Sequence, residues 1–343
     1  MELVDGFSKN EVLSSFSSKV LELIINPTEQ CNFRCTYCYE DFEIQRMSPE
    51  IVQGIKNLLT KRIPTLKKLS FSWFGGEPLI EQGVVFEITK HAYDLCKEHG
   101  VYISGGFTTN GYNLTPELLK RLCDLNQNSY QITLDGSEET HNITRISRGG
   151  KGTFKKIWKN LLNIRDSGIE DFTVTIRIHL TIHNYDSVHK LVRNVKKEFG
   201  GDKRFNIHFH KISDLGGPNK VDVLSYDVYQ SRLKELNKIL EDEIESDNEY
   251  EKAGGINYIC YASKPNSILI RANGRLAKCT VAFSDPRNDL GKILPDGKLD
   301  IDNKKLKPWL GGFKDMDKQY LGCPVSKLHE FKYENQIEAV EIE

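Results

Sequence analysis

The sequence predicts an α/β fold in which six parallel strands alternate with helices, followed by a smaller α+β unit. From residue 20 to about 210, short β-branched or apolar runs alternate with longer segments of helical period, a pattern typical of parallel strands joined by crossover helices. After residue 211, a Gly-Gly-Pro loop, a charged helix and two hairpin signals replace this alternation. We therefore expect an N-terminal extension over 1–19, a βα-repeat domain over 20–215 and a second domain over 216–343.

The six predicted strands are residues 21–26, 68–74, 102–108, 130–134, 172–181 and 204–211. The helices between them are predicted at 49–60, 82–98, 116–125, 154–167 and 187–199. Ser48 before Pro49 and Thr115 before Pro116 are an N-cap followed by proline at the first helical position. Six parallel strands can form an open partial barrel or an open doubly wound sheet, and both place ligands at the carboxyl ends of the strands. Functional residues are therefore expected just after strands.

The smaller unit is predicted to contain a helix over 226–246 and two hairpins. Residues 267–270 and 276–281 flank Asn273-Gly274, and residues 293–300 contain Asp296-Gly297. Both dipeptides are strong signals for hairpin turns.

Composition excludes some classes of partner. Lys and Arg total 47 against 48 Asp and Glu, a net charge of -1, so no global field attracts nucleic acid or an anionic membrane. We find no signal-peptide pattern and no stretch of about 20 apolar residues, so we expect a soluble cytoplasmic protein. Eight cysteines are too few for a disulfide scaffold, and clustered cysteines in a reducing compartment predict metal ligands.

One such cluster follows the first predicted strand, in the run Cys31-Asn-Phe-Arg-Cys35-Thr-Tyr-Cys38. In this C-x3-C-x2-C spacing, three thiolates can converge on one face of a metal cluster. Soft thiolates suit iron-sulfur clusters or zinc, but no nearby Cys or His supplies the fourth ligand of a tetrahedral zinc site. Three cysteines on an iron-sulfur cluster would leave one iron open.

This spacing, with the aromatic Tyr37 before the last cysteine, resembles the radical S-adenosylmethionine (SAM) superfamily. The resemblance implies a partial (β/α)6 barrel and a 4Fe-4S cluster held by Cys31, Cys35 and Cys38, whose open iron chelates SAM. It also implies reductive cleavage of SAM to a 5'-deoxyadenosyl radical, which abstracts hydrogen from a substrate. A flavodoxin-type or ferredoxin-type electron donor is implied as a partner.

Further motifs extend the resemblance in the expected order. Gly75-Gly76-Glu77-Pro78 is similar to the GGEP motif of the family. In that motif the glycines let the backbone approach a ligand closely, and the carboxylate can accept hydrogen bonds from the ammonium group of SAM. Thr109-Asn110-Gly111, Thr133-Leu134-Asp135-Gly136 and the segment from His141 to Arg145 resemble the TNG, SLDG and HDxxR elements. These occur in the branch that includes anaerobic sulfatase maturases and peptide-modifying enzymes.

By that resemblance, Thr133 and Arg145 are candidates for contacting the carboxylate and ribose of SAM. Arg177 on the fifth strand is a further candidate, its alternative being a solvated or ion-paired residue. The full predicted SAM-binding set is Gly75, Gly76, Glu77, Asn110, Thr133, Asp135, Arg145 and Arg177.

A second cysteine group has the spacing C-x13-G-x4-C, from Cys260 through Gly274 to Cys279. It resembles the opening of a SPASM or twitch domain, which carries auxiliary 4Fe-4S clusters, and Cys323 is a plausible third ligand. A full SPASM domain has seven cysteines, whereas here Cys323-Pro-Val is followed by Ser326, so at most one auxiliary cluster fits. The alternative is that these cysteines are buried apolar residues. Cys96 and Cys123 lie in predicted amphipathic helices, where we expect a core role.

Relatives with a SPASM-like domain mostly modify ribosomally made peptides, by crosslinks, thioethers or epimerisation, or oxidise sulfatases. Thr280 stands where sulfatase maturases carry an acidic residue, which disfavours the sulfatase function. We therefore expect radical modification of a peptide or protein side chain. The alternatives are a small-molecule substrate, such as a sugar alcohol or aminoglycoside, and a noncatalytic iron-sulfur redox protein.

Two further expectations concern substrate contacts. About 20 residues precede the first predicted strand, too few for the peptide-binding wing of some peptide maturases, so leader recognition should use another surface or protein. Tyr39, His208 and His210 lie near strand ends and can face the substrate, the two histidines sharing one face of a strand. Their alternative role is packing and hydrogen bonding inside the barrel. The sequence names no catalytic acid or base.

Overall fold

The computed structural model describes residues 2–215, 217–241 and 257–328. Its strands are β1 (Leu3–Val4), β2 (Phe7–Ser8), β3 (Val20–Ile25), β4 (Phe33–Cys35), β5 (Lys68–Trp73), β6 (Tyr102–Thr109), β7 (Gln127–Leu134), β8 (Arg145–Ser147), β9 (Thr173–Leu180), β10 (Phe205–Lys211), β11 (Ser267–Ile270), β12 (Arg275–Ala277), β13 (Gly291–Ile293) and β14 (Leu299–Ile301). Its α-helices are α1 (Lys9–Phe16), α2 (Pro49–Arg62), α3 (Gln82–His99), α4 (Pro116–Cys123), α5 (Glu138–Thr144), α6 (Phe154–Arg165), α7 (Tyr185–Phe199), α8 (Tyr226–Glu241), α9 (Asn303–Leu306) and α10 (Lys318–Gly322).

A ten-stranded sheet forms the centre of the molecule, in the order β10-β9-β7-β6-β5-β3-β11-β12-β13-β14. Neighbouring strands are parallel from β10 to β11 and antiparallel from β11 to β14. All six strands predicted between residues 20 and 211 form, although β7 begins at Gln127, three residues before its predicted start. The predicted α/β fold with a mostly parallel sheet is confirmed.

The two faces of the parallel strands differ in polarity. One face is apolar and packs against the crossover helices, as Phe71, Trp73, Ile132 and Ile176 show by their complete or near-complete burial. Residues two apart on a strand share a face, so the intervening positions line the opposite face. That face is polar and carries, from β5 to β9, Ser72, Thr108, Gln131, Thr175 and Arg177.

The polar face is concave. Tyr39 donates a hydrogen bond to the carbonyl of Thr280, three residues beyond β12. The same tyrosine lies close enough to Arg177 on β9 to influence the pKa of that guanidinium. Because β9 and β12 are six strands apart in the sheet order, one side chain can approach both only if the sheet curls around it. This agrees with the expected partial barrel.

Local signals account for several helix ends. The Thr115 hydroxyl accepts from the Leu118 N–H at the start of α4, where Pro116 follows the cap. Helix α3 ends at Gly100, whose φ of 66° is left-handed, a conformation that glycine adopts without steric cost. The side chain of Ser48 makes no capping hydrogen bond, although Pro49 does begin α2.

Some elements were not predicted from the sequence. The antiparallel pair β1–β2 and helix α1 occupy much of the expected N-terminal extension. Strands β4 and β8 form a separate antiparallel pair in which Cys35 lies opposite Arg145, and the short helix α5 precedes β8. These segments have two to eight residues, too few for a hydrophobic period to be recognised.

The C-terminal predictions need one correction. The strand expected over 276–281 ends at Ala277, because the Asn288 side chain accepts from the N–H groups of Lys278 and Cys279 and donates to the Cys279 carbonyl. The hairpin around Asp296-Gly297 forms as β13 and β14. The predicted helix over 226–246 is observed as α8, and its last five residues lie outside the described part of the chain.

Strand β11 pairs in parallel with β3, so both parts of the chain share one sheet. The domain boundary at 215/216 stays a prediction. No helix in the described ranges is long and apolar enough to cross a membrane.

Candidate cofactor and substrate site

The three cysteines of the first motif lie in and around β4, at the carboxyl end of β3. All three are free and partly buried. The Cys31 sulfur accepts from the Phe33 N–H at 3.3 Å, and the Cys38 N–H donates to the Cys35 carbonyl at 3.1 Å. The thiols are close enough that Cys35 and Cys38 both raise the pKa of Cys31. The structure thus brings together the three predicted ligands.

The chemistry of these thiols fits a metal cluster. Burial is the main cause that raises the pKa of Cys31 to about 12 and that of Cys38 to about 11, so thiolates here need a positive partner. Within residues 2–215, 217–241 and 257–328, no three His, Cys, Asp or Glu side chains converge on a single-ion site. A multi-iron cluster is larger than one ion and separates its thiolates further. Three soft donors without a fourth therefore fit an iron-sulfur cluster better than zinc.

The Gly75-Gly76 segment packs directly on the cysteine loop. A Cβ atom on Gly75 would overlap the carbonyl oxygen of Thr28, and one on Gly76 would overlap that of Gln30. Because no side chain intervenes, backbone hydrogen bonds connect the two segments. The Gly76 N–H donates to the Thr28 carbonyl at 3.3 Å, and the Glu77 N–H donates to the Gln30 carbonyl at 3.0 Å. Gly75 also has a φ of 103°, which favours glycine. The two glycines let this loop support the segment that leads into Cys31.

Glu77 is fully buried and joins the GGEP loop to the end of β6. Its carboxylate accepts from the Leu79 N–H at 3.0 Å, the Thr109 hydroxyl at 2.7 Å and the Asn110 N–H at 2.6 Å. Burial raises the pKa of Glu77, while these hydrogen bonds oppose the rise. The contact expected between Glu77 and the SAM ammonium stays a prediction. Asn110 also donates to the side chain of Asn32, beside Cys31, at 2.7 Å.

A buried charge network lies between the cysteine loop and the ends of β7 and β9. The Tyr37 hydroxyl donates to Asp135 at 2.8 Å and accepts from Arg145 at 2.7 Å. Asp135 also accepts from the Thr144 hydroxyl at 2.7 Å and lies 3.4 Å from His179. Burial of Asp135 opposes ionisation, yet His179 and Arg145 together hold its pKa below the usual range.

Sequence reasoning assigned Asp135 and Arg145 to the site but gave no role to the Tyr37 hydroxyl or to His179. For Tyr37 a signal was available, since this residue directly precedes the last cysteine of the motif. No local signal marked His179, because its partners are 44 and 142 residues away in the chain.

His141 supports this network from behind. Its Nδ1 atom accepts from the Asp135 N–H at 3.4 Å, and its Nε2 atom lies 3.1 Å from the Thr153 hydroxyl. That hydroxyl donates to the Arg145 carbonyl at 2.6 Å. Burial lowers the pKa of His141 to about 3, so the ring is neutral and holds the backbone of both charged residues.

The polar atoms left without partners also fit a bound ligand. Among the described residues, the buried Nε atoms of Arg145 and Arg177 have no hydrogen-bond partner. Thr133 is buried beside them, opposite Arg177 in the β7–β9 register. Unpartnered buried donors are uncommon in folded proteins, and carboxylate or hydroxyl groups of bound ligands would satisfy them. The individual SAM contacts stay predictions.

His208 and His210 lie on the concave face. His210 is 5.8 Å from His179 and 6.0 Å from His208, measured between ring centroids. Partial desolvation by neighbouring groups and the charge of Arg177 lower the pKa of both, that of His210 to about 3. His208 is exposed and His210 partly buried, so neutral imidazoles border the open side of the groove.

The second cysteine group also comes together. Cys279 and Cys323 both raise the pKa of Cys260, so the three thiols lie within range of one another's charge. The Cys260 N–H donates to the Leu321 carbonyl at 2.8 Å, which connects it to α10. Cys260 is partly buried, Cys279 buried and Cys323 exposed. Ser326 donates its hydroxyl proton to the Cys323 carbonyl at 2.7 Å.

Tyrosines connect the two cysteine groups. Tyr39, next to Cys38, donates to the carbonyl of Thr280, next to Cys279, at 3.1 Å. The Thr280 hydroxyl and N–H lie 2.7 and 3.0 Å from the hydroxyl of Tyr261, which follows Cys260. Cys96 is buried in α3 and Cys123 partly buried at the end of α4, both packed with the main core as expected.

Comparisons with known proteins identify the domain. The Radical SAM superfamily model matches residues 25–195. A serine-type anaerobic sulfatase-maturating enzyme of Bacteroides thetaiotaomicron is 29% identical over 164 residues, 45% of this chain and 38% of that protein. A GTP 3',8-cyclase of Thermodesulfovibrio yellowstonii is 24% identical over 304 residues, 82% of this chain and 88% of that protein.

Solved structures agree at the level of the fold. Native anSMEcpe with bound AdoMet, which is SAM, has a TM-score of 0.65 at 20% identity, covering 85% of this chain and 82% of that chain. Streptococcus suis SuiB has a TM-score of 0.58 at 17% identity, covering 91% and 72%. Residues 25–195 of the chain therefore form a domain of the radical SAM superfamily, whose members use a 4Fe-4S cluster and SAM.

Proposed function

We propose that this enzyme modifies a side chain of a peptide or protein substrate, with the cluster on Cys31, Cys35 and Cys38. When bound, the cluster and SAM supply a 5'-deoxyadenosyl radical that abstracts a hydrogen atom from the substrate. The tasks of the chain itself are to hold SAM beside the cysteine loop and to position the substrate on the concave face. We assign SAM binding to Arg145, which lies opposite Cys35 in the β4–β8 pair, and to Thr133, which is buried on β7 two residues before Asp135.

The observation that carries the proposal is the open, polar concave face. A cavity of about 230 Å³ lies along it, lined by side chains that include Ser72, Thr108, Ser129, Gln131 and Thr175. Ser129 and, on β10, Asn206 and His208 are exposed, so the face opens to solvent along these strands. Small-molecule pockets typically measure about 300–1,000 Å³ and enclose their ligand. An open groove lined by hydroxyl and amide groups suits an extended chain better.

The comparisons give limited support in the same direction. SuiB has been solved with its precursor peptide SuiA, at a TM-score of 0.56 and 18% identity to this chain. Native anSMEcpe has been solved with the Cp18Cys peptide, at a TM-score of 0.62 and 20% identity. The GTP 3',8-cyclase, which matches over most of its length, favours the second candidate function, a radical reaction on a small molecule.

We further propose one auxiliary 4Fe-4S cluster on Cys260, Cys279 and Cys323. Their proximity and their connection to the cysteine loop through Tyr39 and Thr280 support this assignment. With three thiols, such a cluster has an open iron or a non-cysteine fourth ligand.

The origin of the abstracted hydrogen tests the proposal. Reconstituted, reduced enzyme is incubated with SAM and a perdeuterated extract of the cells that encode the chain, separated by size. Abstraction from a deuterated substrate raises the mass of the released 5'-deoxyadenosine by about 1 Da. We expect the labelled product from peptide or protein fractions, and we expect protease treatment of those fractions to abolish it.

The triple variant C31A/C35A/C38A is the negative control, and C123A, which removes a cysteine outside both groups, is the positive one. Label obtained only from the low-mass fraction, and insensitive to protease, would contradict a peptide substrate and favour the small-molecule alternative.

A further inference from the structure

Two arginines reach the concave side of the sheet, and they lie in different surroundings. Arg145 is opposite Cys35 in the β4–β8 pair and donates to Tyr37, so it belongs to the cysteine loop. Arg177 lies on β9, two residues beyond Thr175, which lines the cavity. Its register neighbour on β10 is His208. Arg177 therefore lies between the SAM side of the groove and its open side.

The charge of Arg177 is not balanced by a carboxylate in the described residues. Asp135, the acidic group that influences its pKa, already accepts from Tyr37 and Thr144 and lies against His179. No ion pair of Arg177 is found within the described ranges, and its buried Nε atom has no hydrogen-bond partner there. A guanidinium keeps its charge in proteins and matches the two oxygens of a carboxylate.

The groups that flank Arg177 suit such an anion. His208 and His210 are neutral near pH 7 because partial desolvation and the arginine charge lower their pKa values, so each can donate one hydrogen bond without adding charge. Ser129, Gln131 and Thr175 line the cavity that leads away from Arg177. These side chains add hydrogen-bonding groups but no negative charge that would repel an anion.

We propose that Arg177, flanked by His208, is a substrate subsite that binds a carboxylate, and that it does not contact SAM. The carboxylate belongs to an acidic side chain or to the end of a peptide, and its chain continues along the cavity by Gln131 and Thr175. Only one part of this proposal rests on the proposed function, namely that the molecule bearing the carboxylate is a peptide. This role is an alternative to the SAM contact that the sequence predicts for Arg177.

Binding measurements on the cluster-loaded, SAM-bound enzyme without reductant test the subsite, because no turnover occurs. The probes are three alanine-based tripeptides. One has a central Glu and a C-terminal amide, one has a free C-terminal carboxylate, and one has a central Gln and a C-terminal amide. Their dissociation constants are measured by saturation-transfer NMR, and SAM affinity by equilibrium dialysis. The variants are R177Q, R145Q and, as a matched control, R193Q at an exposed position on α7.

We expect at least one carboxylate peptide to bind about tenfold more tightly than the Gln peptide, as for a hydrogen bond to a charged group. R177Q should abolish this difference and leave SAM affinity unchanged, whereas R145Q should weaken SAM binding and R193Q should change neither. The preferred peptide identifies the source of the carboxylate.

Equal binding of all three peptides, or no binding, would overturn the subsite. So would a loss of SAM affinity in R177Q comparable with that in R145Q, since Arg177 would then belong to the SAM site. Because these readouts need no turnover, they do not depend on the radical reaction, and the labelling experiment described above tests separately whether the natural substrate is a peptide.

Discussion

Removing one hydroxyl group tests whether the buried network around Asp135 organises the SAM site. In the variant Tyr37→Phe, Asp135 loses a hydrogen bond of 2.8 Å and Arg145 loses its acceptor at 2.7 Å. The ring itself stays, including its edge contact with His179. The substitution therefore isolates the polar contribution of the hydroxyl.

The expected cost follows from the charges involved. A hydrogen bond to a charged group contributes about 1.5–3 kcal/mol, and leaving a buried charge less satisfied costs a similar amount. Asp135 keeps its hydrogen bond from Thr144 and its contact with His179, which limits the loss. We expect the free energy of unfolding to fall by about 3 kcal/mol. SAM affinity should fall as well, because Arg145 is no longer held in place.

Tyr130→Phe is the matched control, because the Tyr130 hydroxyl is also buried but donates to a neutral acceptor, the Gln127 carbonyl. A neutral hydrogen bond contributes about 1 kcal/mol, and Tyr130 packs in the apolar core, five residues before Asp135. Both variants are measured by equilibrium urea unfolding of the reduced apoprotein, followed by tryptophan fluorescence. If Tyr37→Phe costs no more than Tyr130→Phe, the network does not stabilise the fold through its charges.

Three further predictions concern other parts of the site. Gly76→Ala should lower iron binding, because the added Cβ overlaps the Gln30 carbonyl and displaces the cysteine loop. Cys323→Ala should lower the iron content from about eight to about four per chain while SAM cleavage continues. His141→Gln should reduce the pH dependence of stability. The buried His141 has its pKa lowered from 6.5 to about 3. Its contribution to the free energy of unfolding is therefore complete above pH 6.5 and declines as the pH falls towards 3. Between pH 7.5 and 5.5 this amounts to about 1.4 kcal/mol.

Each of these variants has a control. Gly83 has no atom within 4 Å of an added Cβ, so Gly83→Ala should leave iron binding unchanged. Cys123→Ala should retain all of the iron, and an unchanged iron content in Cys323→Ala would argue against a cluster held by that residue. For the pH experiment the control is His99→Gln at an exposed position. Equal pH dependence of unfolding in His141→Gln and the wild type would show that His141 is not the group responsible.

Local patterns in the sequence were enough to predict the parallel sheet and the group of three cysteines. The alternation of apolar runs and helical segments specifies parallel strands because the hydrophobic period differs between the two elements. Proline and cap residues mark the starts of α2 and α4 for equally local reasons. The spacing from Cys31 to Cys38 predicts three converging thiols, because a segment of eight residues can bring them to one face. Each of these signals is contained in one strand, one helix or one loop.

The tertiary structure decided what surrounds those thiols. The contacts of Tyr37 with Asp135 and Arg145 join residues 98 and 108 positions apart, and no local pattern encodes such a pairing. The same holds for the pairing of β11 with β3 and for the link from Tyr39 to Thr280. It also holds for the burial of Arg177, whose Nε atom has no hydrogen-bond partner among the described residues. Their physical cause is the curvature and strand order of the sheet, which determine which distant residues face one another across the groove.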